Sequence, residues 1–73
     1  MVNTRKFYIT LTEGEDGYLI ASCPVLPGCH SQGKTKEEAI ANIKEAIEGY
    51  IASMLDNGEQ IPEAEVHEVE VAV

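Results

Sequence analysis

Residues 22–39 read SCPVLPGCHSQGKTKEEA, and this stretch holds both cysteines of the chain, one of its two histidines and two of its three prolines. Its last part decides the fold. Thr35-Lys36-Glu37-Glu38 is a capping box, in which the Thr hydroxyl satisfies an early helical N–H and the Glu side chain reaches back toward the cap. Glu37 and Glu38 also suit the positive end of a helix dipole. At the other end, Pro24 cannot donate to a β-ladder, so it ends a strand or sits at an edge, and Pro27-Gly28 is a turn dipeptide. A short strand over Cys29–Gln32 fits before Gly33. The stretch is therefore a junction between a sheet and a helix.

Upstream of the junction, residues 5–12 (RKFYITLT) alternate, with Phe7, Ile9 and Leu11 on one face and Lys6, Tyr8, Thr10 and Thr12 on the other. That pattern predicts a half-buried strand. Glu13–Gly17 is a polar, glycine-bounded loop, and Tyr18–Cys23 continues as a second strand, so residues 5–23 read as a hairpin. On the second strand Leu19, Ala21 and Cys23 share one face, and Tyr18, Ile20 and Ser22 share the other. Downstream, Ile40, Ile43, Ile47, Tyr50, Ile51, Met54 and Leu55 recur at three- and four-residue steps, one apolar stripe along a helix. Gly49 inside that helix costs about 1 kcal/mol relative to Ala, which points to close approach of another backbone. Asp56-Asn57-Gly58 supplies the stop, with Gly58 as the left-handed residue and Pro62 in the exit loop. Val69, Val71 and Val73 alternate with Glu70 and Ala72 as a final strand, starting near Val66 with a bulge or at about His67.

These elements predict an α+β domain over residues 1–73: a single sheet of three to four strands with one helix packed on one face, in the order β-β-β-α-β. A domain of this size buries only roughly 60% of the surface its unfolded chain exposes. The uncovered sheet face, which carries Tyr8, Tyr18 and Ile20, or an open strand edge, is then expected to pair with a second copy in a homodimer or larger homo-oligomer.

Charge narrows the function. The net charge is −8, and residues 1–44 sum to zero, whereas residues 45–73 hold eight acids and no Lys or Arg. Such a surface repels phosphate backbones and favours basic partners, which argues against direct nucleic-acid binding. On charge alone, keeping a small protein in solution is an equally good account of the acids. The longest apolar runs are far too short to span a bilayer, and MVNTRKFYITL lacks the apolar core of a secretory signal, so a cytoplasmic protein is expected.

The cysteines and histidines give little chemistry. Cys23, Cys29, His30 and His67 lack the close pair spacing of a zinc knuckle, and a Cys23–Cys29 disulfide would close only a small loop in a reducing compartment. A nucleophilic thiol needs a base beside it, yet Cys29 and His30 point to opposite faces of an extended segment. No metal, cofactor or catalytic residue is therefore expected.

The combined motif resembles the N-terminal domain of HicB-type antitoxins: Tyr18 on a strand, Pro24 with Leu26-Pro27-Gly28, then Gly33, Thr35, Glu38 and Ala39 opening the amphipathic helix. The likeness runs from about residue 5 to residue 73. It implies a reduced ribonuclease H-like fold of three strands, a helix and a further strand. It also implies a function, the binding and neutralising of a small basic HicA-type toxin that cleaves mRNA in a type II toxin–antitoxin system. The family usually continues into a C-terminal DNA-binding module, and here the sequence ends at Val73, so a stand-alone domain without operator binding is expected. A ribonuclease H-like fold raises the question of nuclease activity, but the first strand carries no acid within it to help hold Mg²⁺, so no enzyme is expected. Glu63, Glu65, Glu68 and Glu70 are the expected partner-binding residues. The alternative is a homo-oligomeric regulatory or ligand-sensing domain of the same family with no toxin partner.

Overall fold

The computed structural model describes residues 4–63 and 65–73; Met1–Asn3, which begin the segment weighed above as a secretory signal, lie outside the described residues. Three strands, β1 (Thr10–Glu13), β2 (Leu19–Ser22) and β3 (His30–Gly33), form an antiparallel sheet in the order β1-β2-β3, and one helix, α1 (Lys36–Asp56), follows. The expected α+β class and the order β-β-β-α are what the chain adopts.

Register follows the side-chain alternation. Leu11, Ala21 and Ser31 stand opposite one another across the three strands, as do Glu13, Leu19 and Gly33. Ala21 is fully buried under α1 and Ile20, on the other face, is exposed. The core consists of Ala21, Cys23, Leu26 and Cys29 from the sheet and its loop, and Ala39, Ile43 and Ile47 from the helix. Burying a Leu side chain such as Leu26 contributes about 1.5–3 kcal/mol.

The loop between β2 and β3 is two consecutive turns. The Leu26 N–H donates to the Cys23 carbonyl and the Cys29 N–H donates to the Leu26 carbonyl, each at 3.0 Å. Pro24 and Pro27 each take the second position of a turn, where a fixed φ is favourable, and Gly28, at the third position of the second turn, has φ +78°. Leu26 belongs to both turns and points into the core, with 1% of its surface exposed. The Pro-x-Leu-Pro-Gly pattern is thus a hairpin closure with a hydrophobic anchor.

At the start of α1, the Glu38 N–H donates to the Thr35 hydroxyl at 3.1 Å, while the Glu38 carboxylate accepts from the Lys34 N–H at 3.3 Å. The return half of the capping box therefore reaches one residue beyond the cap. At the other end Gly58 has φ +72°. Its N–H donates to the Leu55 carbonyl and the Glu59 N–H to the Met54 carbonyl, the paired bonds of a Schellman ending.

Four expectations change. The first strand, expected over residues 5–12, is laddered only over Thr10–Glu13, because β2 ends at Ser22 and the chain then turns at Pro24, leaving residues 5–9 no partner strand among the described residues. Phe7 and Ile9 nevertheless pack against the core. The third strand lies one residue later than Cys29–Gln32. Gly49 faces open space and no backbone approaches it. The final strand is not formed: residues 65–73 join no ladder, and Val69 and Val71 are 80% and 73% exposed. An alternating pattern makes a segment fit to pair, but its backbone groups become a strand only when another edge accepts them.

Candidate partner-binding surface

Two arrangements of residues stand out, one structural and one exposed. The structural one gathers around the junction. Gly33 lies so close to the first turn of α1 that a β-carbon there would stand 2.5 Å from the Ala39 amide nitrogen. Ala39 itself is fully buried. The Tyr50 hydroxyl, about three turns further along the helix, donates to the Pro27 carbonyl at 2.9 Å, and the Asn42 side-chain amide donates to the Gln32 carbonyl at 2.8 Å. The Lys34 ammonium sits 6.0 Å from the centre of the Tyr18 ring. Together these tie the Leu-Pro-Gly turn, β3 and the helix into one unit. Tyr50 and Asn42 were not singled out by the sequence, since a Tyr on an apolar stripe and an Asn beside it carry no pattern for a bond to a distant carbonyl.

Within that unit, Cys23 and Cys29 stand opposite each other and the Cys23 N–H donates to the Cys29 carbonyl at 3.0 Å. Both thiols are free and buried. Burial pushes the Cys29 thiol up, and the neighbouring Cys23 adds to the effect. A raised thiol is protonated at neutral pH, and so is a poor nucleophile and a poor metal ligand. His30 is exposed beside them. Among the described residues no group of three or more His, Cys, Asp or Glu side chains is placed to hold a metal ion.

The exposed arrangement lies along residues 5–9 and the C-terminal segment. Arg5 pairs with Glu63 at 2.9 Å and Glu65 contacts His67 at 3.0 Å, all at the surface. An ion pair as exposed as Arg5–Glu63 contributes at most about 1 kcal/mol. Glu68 and Glu70 are exposed further along. The four acids thus share one segment, apart from the junction motif. Beside residues 5–9 runs an open groove of about 1210 Å³ lined by Phe7, Ile9, Ile40, Ile47, Ile51 and Leu55. Ile40 and Leu55, expected within the buried stripe, are instead exposed along its rim because none of the described residues fills the groove. The sheet face away from α1 is also open, with Ile20 on β2 exposed, and Tyr8 in the segment before β1 is exposed as well. No described helix is long and apolar enough to cross a membrane.

Comparison with known proteins bears on what these surfaces serve. Residues 7–72 match the family model described as HicB-like antitoxin of bacterial toxin-antitoxin system. A UPF0150 protein of Thermoplasma acidophilum is 48% identical over 66 residues, which is 90% of this chain and 96% of that protein. A UPF0150 protein of Synechocystis is 52% identical over 60 residues, covering 81% of this chain and 76% of the relative. The crystal structure of the N-terminal domain of the Burkholderia pseudomallei antitoxin HicB superposes with a TM-score of 0.69 at 29% identity, over 81% of this chain and 69% of that one. The chain belongs to the HicB-like antitoxin family.

Proposed function

We propose that this protein is the antitoxin of a type II toxin–antitoxin pair, which binds and neutralises a small basic HicA-type toxin that cleaves mRNA. The observation that carries the reading is the family match across residues 7–72. Within that frame the protein acts by binding and carries out no catalysis of its own. The excess of acids in residues 45–73 supplies the charge that a basic, RNA-handling partner would meet. Glu63, Glu65, Glu68 and Glu70 are the proposed contact residues, because they are exposed and share one segment. The protein works in the cytoplasm, where its mRNA-cleaving target acts, and as a homo-oligomer, since a domain this small leaves one sheet face and an edge uncovered.

Co-expression with a short basic open reading frame that neighbours its gene and encodes a HicA-like protein tests the reading, and the lack of any such neighbour counts against it. The expected result is a complex that copurifies and restores growth to cells arrested by that neighbour. Failure of both copurification and growth rescue overturns it, and leaves a homo-oligomeric regulatory domain as the better account.

A further inference from the structure

We propose that residues 65–73 form the fourth strand of the sheet in trans: the tail of a second copy of this chain ladders onto the unpaired edge of β1 and residues 5–9, displacing the chain's own residues 65–67 from beside it, each chain giving one strand and receiving one. The proposal deepens the self-association part of the function above and is independent of the toxin.

Surface area is the first argument. A compact monomer of 8.0 kDa exposes about 4,450 Å². This chain exposes 6219 Å². The excess on this one chain is about 1,770 Å², roughly twice the ~800 Å² each partner buries in a standard interface, and two such chains together fall in the roughly 2,000–5,000 Å² range of obligate homodimers. Its Cα radius of gyration is 14.1 Å, against about 11 Å for a compact domain of this length. The chain carries the exposed area of half an interface.

The tail and the edge supply that area in matching form. Val69, Val71 and Val73 share one face and are exposed. A strand with that face toward α1 would set them over the groove lined by Phe7, Ile9, Ile40, Ile47, Ile51 and Leu55. On the receiving side, residues 5–9 lack ladder partners although their alternation is that of a strand. Their side chains include the cations Arg5 and Lys6, whereas the tail carries Glu65, Glu68 and Glu70 and no Lys or Arg. Charge therefore favours tail on edge over tail on tail.

Within one chain this pairing is not made. Arg5 holds Glu63 at the edge and residues 65–67 line a pocket with residues 5–10 of the same chain, but no ladder forms there, and Val69 and Val71 stay in solvent. Across a two-fold axis that brings two β1 edges together, each tail meets the other chain's edge. Glu68 and Glu70, of the opposite parity, then stay on the open sheet face, free for a basic partner.

The test uses the full chain without toxin. At sedimentation equilibrium the wild type is expected at twice the 8.0 kDa chain mass, and Val71→Asp at the monomer mass with its helical circular dichroism retained. A Val71→Asp dimer, or a wild-type monomer, overturns the proposal. A cross-linking arm does not depend on how that variant folds. Tyr8→Cys in a mass-tagged chain is mixed with untagged Glu68→Cys and Glu70→Cys chains in turn, then oxidised. Cross-linked tagged–untagged dimers support exchange. A cross-link at monomer mass in the Tyr8→Cys/Glu68→Cys or Tyr8→Cys/Glu70→Cys double variant means the tail closes on its own edge and overturns it, as does the absence of any cross-link. None of these outcomes bears on toxin neutralisation, which is read separately by growth rescue.

Discussion

A β-carbon on Gly33 would stand 2.5 Å from the Ala39 amide nitrogen and 2.9 Å from its Cα. Both obstacles are backbone atoms of the first helical turn, so they cannot swing away as a side chain would. Gly33→Ala must push α1 off β3, and overpacking of this kind costs about 1–3 kcal/mol. Gly49 provides the contrast, because its surroundings are empty. There Ala removes a helix-interior glycine, and a gain of about 0.5–1 kcal/mol is expected. Urea denaturation of the two variants should move the midpoint in opposite directions.

The cap at Thr35 offers a second measurement. Its hydroxyl accepts from the Glu38 N–H at 3.1 Å, whereas the Glu38 carboxylate accepts from Lys34 at the longer distance of 3.3 Å. Thr35→Ala is expected to cost about 1 kcal/mol. Glu38→Ala is expected to cost less, since an exposed, longer bond contributes little and only the dipole contact is lost with it. A thermal melt in which Glu38→Ala fell further than Thr35→Ala would reverse that ranking.

The cap, the helix and its Gly58 ending were legible in the sequence because each is local: the Thr-x-x-Glu spacing, the apolar stripe and the Asn-Gly stop all act within a turn or two. The β2–β3 connection was half legible. Pro24, Pro27 and Gly28 announced a turn, but that they build two turns sharing a buried Leu26 depends on where the strands on either side converge. Gly49 misled for the same reason: a helical glycine signals close approach only when a neighbour exists, and the periodicity of α1 says nothing of what lies opposite. The Val69–Val73 alternation stated a capacity to pair. Whether a partner edge is present is a property of the surroundings and not of those residues.

The buried thiols give the chain an alkaline weakness. Burial, with Cys23 alongside, raises Cys29. Below the unfolded-state thiol value both states hold the proton and nothing is lost. As pH rises past it, at about 8.5, the unfolded chain releases the proton while the folded chain keeps it. Stability therefore falls until the folded-state value is passed. The melting temperature of the wild type should decline more steeply above that pH than that of Cys29→Ala, which starts lower because it leaves a small cavity. Parallel slopes would show that Cys29 does not titrate differently in the two states.

The acids of residues 63–70 predict how a complex with the proposed basic toxin responds to salt. Exposed charges act over a Debye length of about 8 Å at physiological ionic strength, so the proposed contact residues Glu63, Glu65, Glu68 and Glu70 act chiefly by speeding encounter. Replacing all four by Gln is expected to lower the association rate about tenfold or more at low salt. It should change the dissociation rate far less, because rim charges act chiefly on encounter. Raising the salt should bring the wild type down toward the variant, whose own rate should hardly move. Since Arg5 loses Glu63 in the variant, its mass is measured first, so that a change in self-association is not read as a change in toxin binding. Stopped-flow traces with equal salt dependence for both proteins would transfer the recognition from these acids to the apolar surface around Tyr8 and Ile20.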